Sequence, residues 1–213
     1  LENEAPRVDA EEKVTGKARY TTDYYPDKML WAAYIRCPYG KAVLKSSDIL
    51  AARKVNGVLE VELTSKGGSY AGDRIGHICA ESREALEEGM AALNMQWTVQ
   101  RPATSLAEER TPVDQINTDD DDQKEANAAL ENSDAVVEAT YETQVQTHCC
   151  MEPHIAMVMY GDDETVAYGS TQGTFGFRND VARIVGQDNE KVEFHCEYIG
   201  GGFGSKLGGG AEA

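Results

Sequence analysis

Lys191-Val192-Glu193-Phe194-His195-Cys196-Glu197-Tyr198-Ile199 runs directly into Gly200-Gly201-Gly202-Phe203-Gly204-Ser205-Lys206. The first nine residues read as a strand and the following glycines as a tight loop at its end. Glycines at that place let backbone N–H groups approach a ligand without interference from Cβ. Such nests favour anions, phosphate especially. A P-loop reading would need a Ser or Thr after the lysine, and Leu207 stands there. A dinucleotide fingerprint would need a third glycine at the position that Leu207 also occupies. A nucleotide site and a plain flexible turn therefore both stay open at this point.

Working back from the loop, Phe177, Val181, Ile184 and Val185 have helical spacing and predict a helix over 175–185, stopped near Gly186. Ser170-Thr171-Gln172-Gly173 lies between a strand at Thr165 to Tyr168 and that helix. It reads as a capped turn, from which a Gln can offer a hydrogen bond to an oxo or phosphate group. His148-Cys149-Cys150-Met151-Glu152-Pro153-His154 gathers potential metal ligands. Pro153 breaks any helix that would align them, so a loop between two strands is the favoured reading. Cys149 or Cys150 as a nucleophile would need His148 or His154 as its base, which sequence proximity does not supply. Ala135 to Thr147 alternates like a long strand, and His154 to Tyr160 predicts another.

Residues 104–134 are poor in apolar side chains. They carry Glu108, Glu109, Asp114, Glu125, Glu131, Asp134 and the run Asp119 to Asp122. The spacing lacks the loop Gly and distal Glu of an EF-hand, so the stretch reads as an exposed acidic linker with a short helix over 123–130. Upstream, residues 13–103 read as a mixed α/β unit. Strands are predicted at Met29 to Ile35, Lys41 to Lys45, Val58 to Leu63, Arg74 to Ala80 and Met95 to Val99. Helices begin after Ser46-Ser47-Asp48 and after Ser82, with Gly67-Gly68 and Gly72 in a loop.

The 213 residues carry 20 Lys+Arg against 37 Asp+Glu, a net charge of −17, which disfavours nucleic acid and anionic membrane surfaces as partners. An apolar content of 41% excludes a fully disordered chain. No apolar run reaches the roughly 18 residues of a spanning helix. Leu1 to Pro6 is not a signal peptide, so the cytoplasm is expected, with the periplasm as the alternative if an export signal lay upstream. The five cysteines form no CxxC pair and are expected to be reduced, mostly packed as small hydrophobes.

Five segments together resemble the molybdenum-binding subunit of the xanthine dehydrogenase/aldehyde oxidase family. They are Val14 to Asp23, Asp73 to Glu87, Met151-Glu152-Pro153-His154, Ser170-Thr171-Gln172-Gly173 and Gly200 to Lys206, with 31 positions from Gln172 to Phe203. The resemblance covers nearly the whole chain. It implies an α/β (α+β) fold: an α/β-hammerhead domain over 1–103, the acidic linker over 104–134, and the first part of a molybdopterin-binding domain over 135–213. It implies that Gln172 hydrogen-bonds an oxo ligand of molybdenum. Gly202, Phe203 and Gly204 would lie against the cofactor, with Gln172 and Phe203 near the metal but not ligating it.

The family's chemistry is hydroxylation of aldehydes or N-heterocycles with water as oxygen source and a glutamate as base. Its cofactor is a molybdopterin-type molybdenum cofactor, the cytosine dinucleotide being one form. Electrons leave through [2Fe–2S] clusters to FAD on partner domains or subunits. The resemblance places the catalytic Glu beyond Ala213, so this chain alone is expected to be inactive and to hold no cofactor. Leu207 stands where some purine-oxidising members carry a Glu, which weakens xanthine as the substrate. Two other classes remain: a non-catalytic interaction module, and a nucleotide-binding protein using Gly200 to Lys206.

Overall fold

The computed structural model describes residues 5, 7–105 and 120–209, and two compact units account for them, one over 27–141 and one formed by the segment up to Pro26 with residues 142 onward. Glu108, Glu109, Asp114 and Asp119 of the expected linker lie outside the described residues. No helix among the described residues is long and apolar enough to cross a membrane.

In the unit over 27–141, β1 (Trp31–Arg36), β5 (Arg74–Ala80) and β3 (Val58–Leu63) form an antiparallel sheet with β5 in the centre. A second sheet pairs β4 (Gly67–Gly68), β2 (Ala42–Ser46) and β6 (Gln96–Val99). Gly67-Gly68, expected as loop, pairs with Val43 and Ala42. Helix α2 (Ile49–Arg53) starts at Asp48, whose side chain accepts from Ala51 N at 2.8 Å. Helix α3 (Arg83–Ala92) starts at Ser82, which accepts from Ala85 N at 3.1 Å. Each cap satisfies one N–H that the first turn leaves without a partner. The core gathers Ile35, Cys37, Val61, Ile75, Ile78 and Leu93. Helix α4 (Asp120–Glu131) covers the short helix expected within the acidic stretch and carries it a few residues further at the N-terminal side.

The other unit holds the loop over Gly200 to Lys206. Its sheet runs β7 (Ala156–Met159), β8 (Thr165–Gly169), β9 (Val192–His195), with β8 central, antiparallel to β7 and parallel to β9. Helix α5 (Thr174–Val185) makes the crossover that a parallel pair requires. It ends on Gly186 at φ 72, the left-handed cap that the sequence predicted. Phe177, Val181 and Ala182 of α5 pack on Ala167 and Val192, and the Phe177 ring stacks on Phe194 with centroids 4.6 Å apart.

Several expectations are corrected. The segment up to Pro26 packs with the C-terminal unit rather than with the first domain. Aromatic contacts hold it there: Tyr24 against Tyr168 at 4.6 Å and Tyr20 against Tyr198 at 5.8 Å. The long strand over 135–147 does not form, and Val137 and Val145 are 91% and 93% exposed. An alternating segment becomes a strand only where a neighbour takes its backbone groups, and none of the described strands pairs with it. The last strand stops at His195 rather than Ile199. All five cysteines are free, as expected, but only Cys37 is fully buried and Cys149 is exposed.

Candidate functional site

Three loops of the C-terminal unit converge: 150–154 before β7, 170–173 between β8 and α5, and 200–209 after β9. The loop over 170–173 is set by Gly169 behind it. A Cβ there would come within 2.4 Å of the Phe177 ring, so only glycine lets α5 close onto the end of β8. The helix N-cap is Gly173 with no side-chain cap. The Thr171 hydroxyl instead accepts from Gly173 N at 2.9 Å and donates to Lys206 O at 3.1 Å. The Ser/Thr cap expected here is thus a bridge to the glycine loop.

Gln172 and the glycine turn meet directly. Gln172 N donates to Lys206 O at 2.6 Å, and Gly204 N donates to Gln172 Oε1 at 2.9 Å. A backbone N–H can only donate, so the oxygen of the amide must face Gly204. Gln172 Nε2 is thereby turned away from the turn, and it donates to none of the described residues. Gly202 makes this approach possible, because a Cβ there would lie 2.4 Å from Gln172 Oε1.

Gly201 and Gly204 sit at φ 105 and 95, in backbone that favours glycine. Phe203 lies between them at φ 51 with its ring 73% exposed. The N–H groups of Gly201, Gly202 and Phe203 donate to none of the described residues. Beside Phe203 an open depression of about 280 Å³ is lined by Gln146, Thr147 and His148.

Of the residues singled out by sequence, Gln172, Gly202 and Gly204 come together, with Phe203 at the rim. Sequence reasoning missed a buried polar cluster behind them. Lys206 is 1% exposed, and its Nζ donates to Glu152 O at 2.9 Å, Glu152 Oε2 at 3.2 Å and Ser170 Oγ at 2.6 Å. Glu152 Oε2 also accepts from Ser170 Oγ and from Gly200 N at 2.7 Å, while Glu152 Oε1 is buried without a partner. The available signal was one Glu, one Ser and one Lys, each inside a separate motif.

This cluster removes the lysine-dependent nucleotide reading, since an ammonium has three donors and all three are spent. The segment 148–154 forms no metal cluster among the described residues. The one described group of suitable spacing is Glu60, Glu62 and His77, on the other unit. Cys149 Sγ lies 3.0 Å from Thr147 Oγ1, and Cys150 Sγ donates to Gly202 O at 3.5 Å. Neither thiol shows a histidine base at hydrogen-bond distance.

A glycine turn whose N–H groups are unpaired among the described residues, beside an amide donor, is suited chemically to a ligand rich in acceptors. Comparison with known proteins gives that class a family. Residues 108–213 match the molybdopterin cofactor-binding domain. The aldehyde oxidoreductase molybdenum-binding subunit PaoC of Escherichia coli O157:H7 is 30% identical, over 94% of this chain and 30% of its own length. The nicotinate dehydrogenase large molybdopterin subunit of Eubacterium barkeri is 31% identical, over 94% of this chain and 54% of its own. The crystal structure of quinoline 2-oxidoreductase from Pseudomonas putida 86 shares the fold with a TM-score of 0.72 at 19% identity, covering 96% of this chain and 31% of that one.

The chain belongs to the molybdenum-binding subunits of the xanthine dehydrogenase/aldehyde oxidase family. It spans about a third to a half of the length of these relatives.

Proposed function

We propose that this chain forms the cofactor-facing N-terminal part of a molybdenum hydroxylase that oxidises an aldehyde or an N-heterocycle with water as the oxygen source. The observation that carries the reading is the Gln172 amide. Its oxygen is held by Gly204 N–H, so its Nε2 remains a donor facing away from the turn. A metal oxo group accepts hydrogen bonds and offers none, so the amide presents the correct end.

The residues fit a molybdopterin-type cofactor, which when bound supplies the redox chemistry that side chains lack. Gln172 Nε2 would donate to an oxo ligand. The N–H groups of Gly201, Gly202 and Phe203 would receive acceptor atoms of the cofactor, as backbone nests do for anions. Phe203 would present its exposed ring toward the reacting end, closing one side of the depression that Gln146, Thr147 and His148 line. Aldehyde oxidoreductase and nicotinate dehydrogenase among the relatives support the substrate classes. Iron–sulfur and FAD partners are proposed as the electron path. The cytoplasm is the proposed compartment, supported by five free thiols.

The test is Gln172→Ala in the holoenzyme. A hydrogen bond to a charged group contributes about 1.5–3 kcal/mol. Lost only in the transition state, that corresponds to about a 10- to 150-fold fall in turnover per bound molybdenum. Unchanged turnover with normal metal content would overturn the assignment.

A further inference from the structure

We infer that Lys206, Glu152 and Ser170 act as a buried polar pin that positions the Gln172 amide and the glycine turn toward the cofactor; this rests on the function proposed above. The three side chains bracket the Gln172–Gly204 contact. Ser170 stands two residues before Gln172, Lys206 two residues after Gly204, and Gly200, which donates to Glu152, two residues before Gly202. Each loop that contributes to the site is therefore tied close to its working atom.

The pin is directional. Lys206 Nζ has three N–H bonds and three acceptors, at 2.6, 2.9 and 3.2 Å, so one arrangement of the three loops satisfies it. The main chain of the same residue takes Gln172 N at 2.6 Å and Thr171 Oγ1 at 3.1 Å. Lys206 thus grips the 170–172 segment through both its side chain and its backbone. An apolar side chain of similar volume would fill the space while allowing the turn to slide. An ion pair whose ammonium is fully bonded fixes register, although its desolvation makes it a poor source of net stability. Lys206 does not reach the ligand, because it has no N–H left; it acts through Gln172 and is a positioning residue.

The experiment is a double-mutant cycle in the holoenzyme with Gln172→Ala, Lys206→Met and the double variant. Molybdenum content, kcat and KM are measured, with hydrogen exchange of peptides spanning 200–208. Lys206→Met is expected to speed exchange at that peptide about tenfold or more and to lower kcat per molybdenum with KM little changed. In kcat per molybdenum the double variant should be no slower than the worse single variant within about twofold, because the pin reaches the reacting end through the amide already removed, while its hold on the turn is read in the molybdenum content and the exchange.

If Lys206→Met fails to fold or to load metal, Ser170→Ala takes its place, removing one acceptor from Lys206 and one donor to Glu152 without added bulk. The same non-additivity is expected on a smaller scale. Multiplicative losses in the cycle, or unchanged exchange over 200–208 in the folded variants, would overturn the inference. Full turnover in Gln172→Ala would instead defeat the functional reading, and the exchange measurement would still decide whether the pin holds the turn.

Discussion

Gly200→Ala and Gly202→Ala are expected to separate stability from function, although each places a Cβ at 2.4 Å from its nearest neighbour. Neither residue has a left-handed φ, so alanine adds no backbone strain at either. The neighbours differ. At Gly202 the atoms met are Oε1, Cδ and Cγ of Gln172, at 2.4, 2.5 and 2.7 Å, the outer part of a flexible side chain. Gln172 can swing aside, and folding then loses chiefly the Gly204 N–H bond, about 1 kcal/mol net. The swing also carries Nε2 away, so turnover per molybdenum should fall about as far as in Gln172→Ala.

At Gly200 the first atom met is Glu152 Cβ, which cannot move without its main chain. Overpacking of this kind costs about 1–3 kcal/mol. Loss of the Gly200 N–H bond to the carboxylate adds about 1.5–3 kcal/mol if it breaks. Thermal unfolding and turnover per molybdenum on both variants make the comparison. Gly200→Ala should lower the melting temperature at least twice as far as Gly202→Ala. Equal destabilisation, or normal turnover in folded Gly202→Ala, would refute the reasoning.

Gly169→Ala puts a Cβ 2.4 Å from the Phe177 ring and should destabilise the C-terminal unit by about 1–3 kcal/mol, read by denaturant unfolding; a neutral result would mean that α5 does not sit as described. Ser82→Ala removes the cap on α3 and should cost about 1 kcal/mol, whereas Ser82→Asp should retain most of it. Burial, reinforced by Glu60, pushes the Cys79 thiol up, so its neutral form persists at mildly alkaline pH. Exposed Cys149 should therefore react with iodoacetamide before Cys79 at about pH 8, and mass spectrometry showing the reverse order would contradict the burial. The sign for stability follows. The unfolded thiol releases its proton first, so the contribution of Cys79 is full below the ordinary thiol range and is lost as pH rises from there through the higher value of the folded protein.

Local elements were legible wherever their cause lay within a few residues. Asp48 and Ser82 began helices because each could bond an N–H three positions on. Gly186 ended α5 because a left-handed cap needs glycine. Alternation marked β3, whose partner β5 lies in the same unit and whose inward residue Val61 joins its core. The same alternation misled at 135–147, because a strand is a property of two segments and periodicity describes one. The glycine loop and Gln172 were recognisable as chemistry from sequence. The motifs Met151 to His154, Ser170 to Gly173 and Gly200 to Lys206 pointed together to one family, but the buried contacts of Glu152, Ser170 and Lys206 were not legible in them.

What the sequence determined by itself was the content of the site: an amide, a run of glycines, an acid and a base. Only the tertiary structure decided which of these groups meet. Across 54 positions of chain, it brought Glu152 to Lys206 and used up every donor of the ammonium. Across 32 positions, it turned the Gln172 amide so that the oxygen faces Gly204 and the nitrogen does not. Donor and acceptor groups are inventories until geometry pairs them. The Lys206 ammonium is consumed inside the fold, and Gln172 Nε2 keeps its hydrogens free of every described residue.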